Sequence, residues 1–206
     1  YLADFRLGVT TDTQDATGRV LCERDPSGVS GADVRKAAAR FTGEIMQVPP
    51  MYSALRVEGK RLYELARQGV EVERKARPVT IHSLDFVSWD GASHTCRIDV
   101  HCSKGTYIRT LVADIGEALG CGAVMTGLRR TMAAGFTLAD CVTIGEAGDL
   151  AREGRFAEAL LPVGAAFAGL PRARLSEKQA KMFLNGVRLA PARVARPGGE
   201  GPFAVY

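Results

Sequence analysis

The nine residues Cys102-Ser103-Lys104-Gly105-Thr106-Tyr107-Ile108-Arg109-Thr110 constrain this chain most, because they close an alternating segment and open a helical one. Arg97, Asp99 and His101 alternate with Ile98, Val100 and Cys102, the period-two pattern of a strand with one polar and one apolar face. Gly105 breaks that pattern. Beyond it Ile108, Leu111, Val112, Ile115 and Leu119 recur at three-and-four spacing, one face of a helix that Gly120 ends. Tyr107 and Arg109 fall outside this stripe. In an extended chain their side chains project to one side, about 6.5 to 7 Å apart. The spacing leaves two readings open: Tyr107 covers a sheet edge and Arg109 is solvated, or the two form part of a site. A cation in a helix's first turn opposes the macrodipole, which favours the second.

At 206 residues and 46% hydrophobic content the chain can bury a sizeable core. No run approaches the roughly 18 apolar residues of a membrane span, and no signal peptide is visible, so a cytoplasmic location is the default. Cys22, Cys96, Cys102, Cys121 and Cys141 form no Cys-x-x-Cys pair, and His82, His94 and His101 lack helical metal-binding spacing. Neither a disulfide framework nor a metal site is expected. Of the 27 cations six are lysine, leaving 21 arginines, in a chain of net charge +4. Arginine's planar fork suits phosphates and base edges, so a nucleic-acid partner is plausible; an arginine-rich codon usage explains the bias equally well.

Tyr1 to Leu7 reads as a strand that begins without a methionine, as if cut at its front. The turn-forming run Thr11 to Gly18 leads into a second strand, Arg19 to Glu23; Asp12 and Asp15 belong to that turn rather than to an acid-base pair. Ser30 caps a helix with Asp33 at its third position and Val34, Ala37, Ala38 and Phe41 as its apolar stripe. Pro49 and Pro50 enforce an extended path into a short strand, with Tyr52 as packing. Lys60 to Gln68 suits a short helix, and Arg56 to Arg77 holds seven cations and four anions with little apolar content, so this arm is free to grip a polyanion. Val79 to Val87 and Thr95 to Cys102 read as strands joined through Asp90-Gly91-Ala92-Ser93, with the opening segment as their continuation. Helices are expected within Ile144 to Leu160. From about Leu170 a small unit follows: a helix Glu177 to Asn185 capped by Ser176, a strand from Val187, a turn over Pro197 to Gly201, and a strand from Phe203 at which the chain again looks cut.

In this order the motifs resemble the TruB family of tRNA pseudouridine synthases. The resemblance rests on Arg6-Leu7-Gly8 with Thr11-Asp12-Thr13 and Asp15 to Gly18, on Val48-Pro49-Pro50-Met51-Tyr52-Ser53-Ala54, on Gly59-Lys60-Arg61-Leu62-Tyr63-Glu64 with Ala66-Arg67-Gln68-Gly69, on Ser103 to Arg109, and on Leu128-Arg129-Arg130. Each is weak alone, but five in order are specific. The tail is similar to the start of a PUA-type RNA-binding domain.

The resemblance implies an α+β fold with a mixed, mainly antiparallel sheet, a catalytic domain over 1–169 with an RNA-gripping insertion at about 56–78, and a partial PUA-like domain over 170–206. It implies isomerisation of a tRNA T-loop uridine (uridine 55) by base flipping and an aspartate nucleophile, with no cofactor or metal, tRNA as partner through its T arm, no protein partner, and a monomer. Tyr1 matches the tyrosine that stacks on the flipped uracil, Leu128 the leucine packed on that base, Tyr107 the tyrosine beside the reacting ring, and Arg109 the arginine that pairs with the nucleophile. Lys60, Arg67, Arg74, Arg77, Lys104 and Arg129 are the RNA-contact candidates. The family's Gly-Thr-Leu-Asp-Pro segment and its upstream histidine are not found here; Leu84-Asp85 is followed by Phe86, so Asp85 is not assigned that role, nor are Asp12 and Asp15. The chain alone is therefore expected to be inactive. A non-catalytic tRNA-binding module and a guide-RNA-dependent relative are the alternatives.

Overall fold

The computed structural model describes residues 1–57, 59–195 and 201–205. Contacts divide the chain into two compact units, Tyr1–Thr131 and Met132–Tyr206.

In the first unit, β1 (Leu2–Leu7) alternates inward Ala3, Phe5 and Leu7 with outward Asp4 and Arg6. Gly8 turns it at φ 86°, a left-handed conformation natural to glycine, into the hairpin β2 (Val9–Thr11) and β3 (Val20–Glu23). The turn between them is built as its composition predicts. Asp12 Oδ1 accepts the Arg19 amide at 2.9 Å, and Asp15 Oδ1 accepts the Thr17 amide at 3.0 Å. Helix α1 (Gly31–Ala39) carries the expected box: the Asp33 amide donates to Ser30 Oγ at 3.3 Å and the Ser30 amide to Asp33 Oδ2 at 3.0 Å.

Next come β4 (Gly43–Gln47), the short pair β5 (Arg56–Val57) and β6 (Lys60–Arg61), and α2 (Leu62–Arg67). The strand expected directly after the prolines is instead a run of bends over Met51 to Ala54, and Lys60 and Arg61 are extended rather than helical. The long β7 (Arg77–Asp90) turns through Gly91–His94 into β8 (Thr95–Cys102), then α3 (Ile108–Ala118) and β9 (Ala123–Arg129) complete the unit.

Five strands form one sheet in the order β4-β7-β8-β1-β9, antiparallel at every pairing. Among the described residues the parallel contacts are the isolated bridge Asp15–Met125 and a two-residue pair in the second unit. One sheet face is apolar and packs on Val34, Ala37 and Ala38 of α1 and Ile108, Leu111, Val112 and Ile115 of α3. Burial of that face is the main stabilising term, about 25 cal/mol per Å2 removed from water. Gly116 lets α3 lie against the start of β9, since a Cβ there would meet the Ala123 nitrogen at 2.2 Å. The opposite face carries Asp4, Arg6, Arg97, Asp99 and His101 toward water, with Arg97 forked on Asp4 at 2.6 and 3.1 Å.

The second unit holds the two-stranded β10 (Met132–Ala133) and β11 (Phe136–Thr137), α4 (Ile144–Arg152), and the parallel pair β12 (Arg172–Ala173) and β13 (Ala204–Val205) flanking α5 (Glu177–Leu184). Thr143 with Glu146 and Ser176 with Gln179 box the two helices at their starts. Val187 to Leu189 forms no strand; its side chains, with Leu175, Phe183 and Val194, line an open apolar cleft of about 530 Å3. The turn expected at Pro197 to Glu200 and the strand residue Tyr206 lie outside the described residues. No described helix is long and apolar enough to cross a membrane.

Candidate active site at the start of helix α3

The N-cap position of α3 falls on Tyr107, with φ −98° and ψ 104°, so Tyr107 is extended while Arg109 is already in the first helical turn. The two are thus not neighbours on one strand face. Each is half-buried. A helix start leaves backbone N–H groups without partners, and here no side chain within α3 caps them. Three other segments act on this turn instead.

From the end of β4, Gln47 sets its side-chain amide against the Tyr107 backbone: its Oε1 accepts the Tyr107 amide at 2.8 Å and its Nε2 donates to the Tyr107 carbonyl at 3.1 Å. Gln47 is 2% exposed. From the bends after the prolines, the Tyr52 carbonyl accepts Arg109 Nη2 at 2.7 Å. That contact answers the unfavourable position of a cation at the positive end of a helix. From the β2–β3 turn, Gln14 Oε1 accepts the Thr110 hydroxyl at 2.7 Å; Gln14 sits at φ 61°, and its carbonyl accepts the Met125 amide at 3.3 Å. Arg109 has no carboxylate partner among the described residues. Its remaining guanidinium N–H groups can serve an incoming anion.

A cleft of about 410 Å3 opens beside this turn, with Gln47, Pro49, Leu55 and Tyr107 on its walls and Arg77 and Lys104 contributing charge. Tyr107, expected at the reacting ring, and the RNA-contact candidates Arg77 and Lys104 therefore share one cavity. Arg74 lines a second cleft of about 230 Å3 with Leu55, Leu62 and Lys75. It is partly committed within the arm, donating to Glu71 Oε1 at 3.0 Å and the Pro49 carbonyl at 3.4 Å. Arg67 lies over the Tyr63 ring at 5.4 Å, and Lys60 is exposed on β6.

Tyr1 shares the strand parity of Ala3, which pairs with Leu128, so the aromatic ring and the leucine belong to the apolar face of the sheet. Leu128 is 47% exposed, unlike its partner Ala3. The Tyr1 carbonyl accepts the Val100 amide at 2.8 Å near the end of β8, the strand that leads into the site. Arg130 donates to the Tyr1 hydroxyl at 2.9 Å and stacks on its ring. Arg129 pairs with Leu2 and so belongs to the opposite, polar face.

Half-way along α3, burial and then Glu117 push the Asp114 carboxyl up to about 6. Burial pushes the Cys96 thiol up to about 12, which leaves it protonated and unreactive. Among the described residues no group of three or more His, Cys, Asp or Glu could hold a metal ion.

Sequence reasoning missed Gln47 and Gln14. Neither carries a local signal: in β4 the outward Met46 is as apolar as the inward Ile45, and Gln47 meets its partner 60 residues away.

Comparison with known proteins places this arrangement. The profile of the TruB family pseudouridylate synthases (N terminal domain) matches residues 1–108, and that of the tRNA pseudouridylate synthase B C-terminal domain matches residues 109–168. The chain belongs to the TruB family. It is 50% identical over 202 residues to a tRNA pseudouridine synthase B of Ralstonia nicotianae, covering 97% of this chain and 63% of that protein. It is 45% identical over 203 residues to the protein of that name in Haemophilus influenzae, covering 97% and 65%. The chain thus spans less than two thirds of these relatives' length. Among solved structures, a Cbf5-Nop10-Gar1 complex superposes with a TM-score of 0.69 at 24% identity, over 95% of this chain and 50% of that one. An H/ACA RNP bound to a substrate RNA containing 2'-deoxyuridine superposes with a TM-score of 0.62 at 21% identity, over 100% and 53%. Both share the fold.

Proposed function

We propose that the complete protein isomerises a T-loop uridine of tRNA, uridine 55, to pseudouridine. The observation that carries this reading is a TruB-family chain in which a half-buried Tyr107 lines a cationic cleft while Arg109, in the first turn of α3, has no carboxylate partner among the described residues. An extruded base loses its stacking partners and takes new ones from Tyr1 and Leu128 on the apolar face. The attacking carboxylate comes from a segment outside these 206 residues, and Arg109 keeps it ionised and oriented through charge-assisted hydrogen bonds. The carboxylate bonds to the nucleotide and that bond is broken again before release; in between, the N1–C1′ bond breaks, the uracil turns, a C5–C1′ bond forms, and the C5 proton departs through Tyr107 while N1 gains a proton.

In the same reading Lys60, Arg67 and Arg77 grip the phosphates of the T arm, with Lys104 at the cleft and Arg74 and Arg129 in supporting contacts. Residues from 170 onward begin a PUA-like RNA-binding domain, and the protein works as a cytoplasmic monomer without a cofactor. High identity to tRNA pseudouridine synthase B proteins supports a stand-alone enzyme over a guide-dependent one.

Tritium release from tRNA labelled at uridine C5 tests the proposal. The complete protein releases one equivalent, from the T loop, and these 206 residues alone release none. Tight tRNA binding by the complete protein without release would instead make it a binding module. Release by the 206 residues would show that the nucleophile lies among them.

A further inference from the structure

The start of α3 lacks the local capping that α1, α4 and α5 all carry. In a capping box, the third helical residue reaches back to the N-cap amide. In α3 that residue is Thr110, and it donates to Gln14 instead. The N-cap amide belongs to Tyr107, and its acceptor is Gln47, 60 residues earlier in the chain.

Two features separate this contact from ordinary packing. Gln47 satisfies both backbone groups of one residue at once, which fixes the rotation of the peptide planes on either side of the Tyr107 Cα. The Tyr107 carbonyl also accepts the Leu111 amide at 3.0 Å, so the same group anchors the first turn of the helix. A side-chain amide with 2% exposure has no water to fall back on, and its loss leaves the Tyr107 amide unpaired and the Tyr107 carbonyl with the Leu111 amide alone.

Gln47 also stands at the root of the arm. It pairs across the sheet with Arg77, so residues 48–76 leave and return through this one rung of the β4–β7 ladder. The rung that closes the arm thereby holds the backbone of the tyrosine beside the cleft.

We propose that Gln47 is the positioning residue for Tyr107, setting the direction of the phenol toward the reacting ring. This rests on the reading of Tyr107 given above. Gln47 touches no substrate; it acts through the backbone it grips.

The test is a double-mutant cycle in the complete protein with single-turnover kinetics on tRNA. Gln47→Met lowers the rate of the bound complex about 10- to 100-fold, the scale of an approximately 1 Å misplacement, with tRNA affinity within about twofold. In a Tyr107→Phe background the same substitution costs less than about threefold, because the hydroxyl it positions is gone. Gln47→Glu, which keeps an acceptor for the Tyr107 amide and loses the donor to its carbonyl, falls between Met and wild type. Full additivity of the two substitutions, or a parallel loss of affinity and rate, overturns the proposal. Amide hydrogen exchange supplies a readout independent of activity. Protection at Tyr107 falls at least about tenfold in Gln47→Met while that of Ile98 in β8 stays, and unchanged protection at Tyr107 overturns the proposal. An inactive wild-type protein refutes the proposed function, while the exchange measurement still decides whether Gln47 holds Tyr107.

Discussion

The two units are held together by opposite means. In Tyr1–Thr131 the side chains of Phe5, Leu7, Ile81, Ile98, Leu111 and Ile115 are fully buried, yet α3 at the centre of that core has no local N-terminal cap. From Met132 onward the helices α4 and α5 have complete capping boxes, yet the buried apolar residues among those described are Ala173 and Ala204. Ile144, Val163 and Leu184 are 94%, 80% and 83% exposed. Tertiary packing thus fastens the start of α3 where no local cap exists, and local signals write secondary structure in the second unit with little core of its own. A helix whose first turn is fastened by distant segments can also carry residues, such as Arg109, that a self-capped helix would not favour there.

The sharpest way to break this comparison is to find chemistry that does not depend on the first unit. Arg109→Ala is expected to slow turnover by the complete protein about 1000-fold, roughly 4 kcal/mol in the barrier, with tRNA affinity within about threefold. Equal losses of rate and affinity would show that Arg109 grips RNA rather than orienting a carboxylate. Next in size is a matched pair of leucine substitutions. Leu111→Ala should destabilise the protein by about 3 kcal/mol in denaturant unfolding, from a cavity under the sheet, whereas Leu184→Ala should change it by less than about 0.5 kcal/mol. Similar values for the two would mean that Leu184 is covered in solution.

Much of the first unit was legible in its sequence. The alternation over Thr95 to Cys102, the stripe of α3, the box at Ser30 and the turn at Asp12 to Gly18 are local patterns, and each lies where its period or spacing places it. Two strands of the five-stranded sheet were not legible. β9 opens with three buried residues, Ala123, Val124 and Met125, then Thr126 and Gly127, so neither alternation nor helical spacing marks it; Gly127 pairs with Asp4 on the polar face, where the Asp4 Oδ2 would lie 3.1 Å from an added Cβ. β4 opens on Gly43, which reads as a helix end, and exposes Glu44 and Met46, so it reads as a loop until β7 pairs with it. The site divides the same way. Tyr107 and Arg109 were visible as misfits in a periodic stripe, while Gln47, Gln14 and the Tyr52 carbonyl lie 60, 96 and 57 residues from their partners, beyond any local pattern.

A smaller effect tests the packing of α3 through pH. The Asp114 carboxyl is raised from 3.8 to about 6 by burial, so the folded state holds its proton more tightly than the unfolded chain. For a raised carboxyl, stability is highest at low pH and declines as pH rises from about 4 to about 6, the lowered level persisting above that window. Asp114→Asn should remove this decline and raise stability at pH 7 by on the order of 1 kcal/mol, once solvent screening of a half-buried group is allowed for. Unfolding midpoints measured at pH 4, 5, 6 and 7 decide it; an unchanged slope between variant and wild type would mean that Asp114 is solvated.

The smallest effect sharpens the comparison from the side of the second unit. Ser176 Oγ accepts the Gln179 amide at 3.3 Å and the Ser176 amide donates to Gln179 Oε1 at 2.8 Å, so the start of α5 is fixed by residues within four positions of one another. Gln179 Nε2 also reaches the Arg193 carbonyl, a contact that Ser176→Ala leaves in place. Loss of the cap should therefore cost about 0.5 to 1 kcal/mol. Because α5 contributes no fully buried side chain, that loss should be felt locally: faster amide exchange over Glu177 to Leu184, with the exchange of β1 and β8 unchanged. Were the slowest amides of β1 to accelerate by the same factor, the two units would unfold as one cooperative block, and packing would govern both.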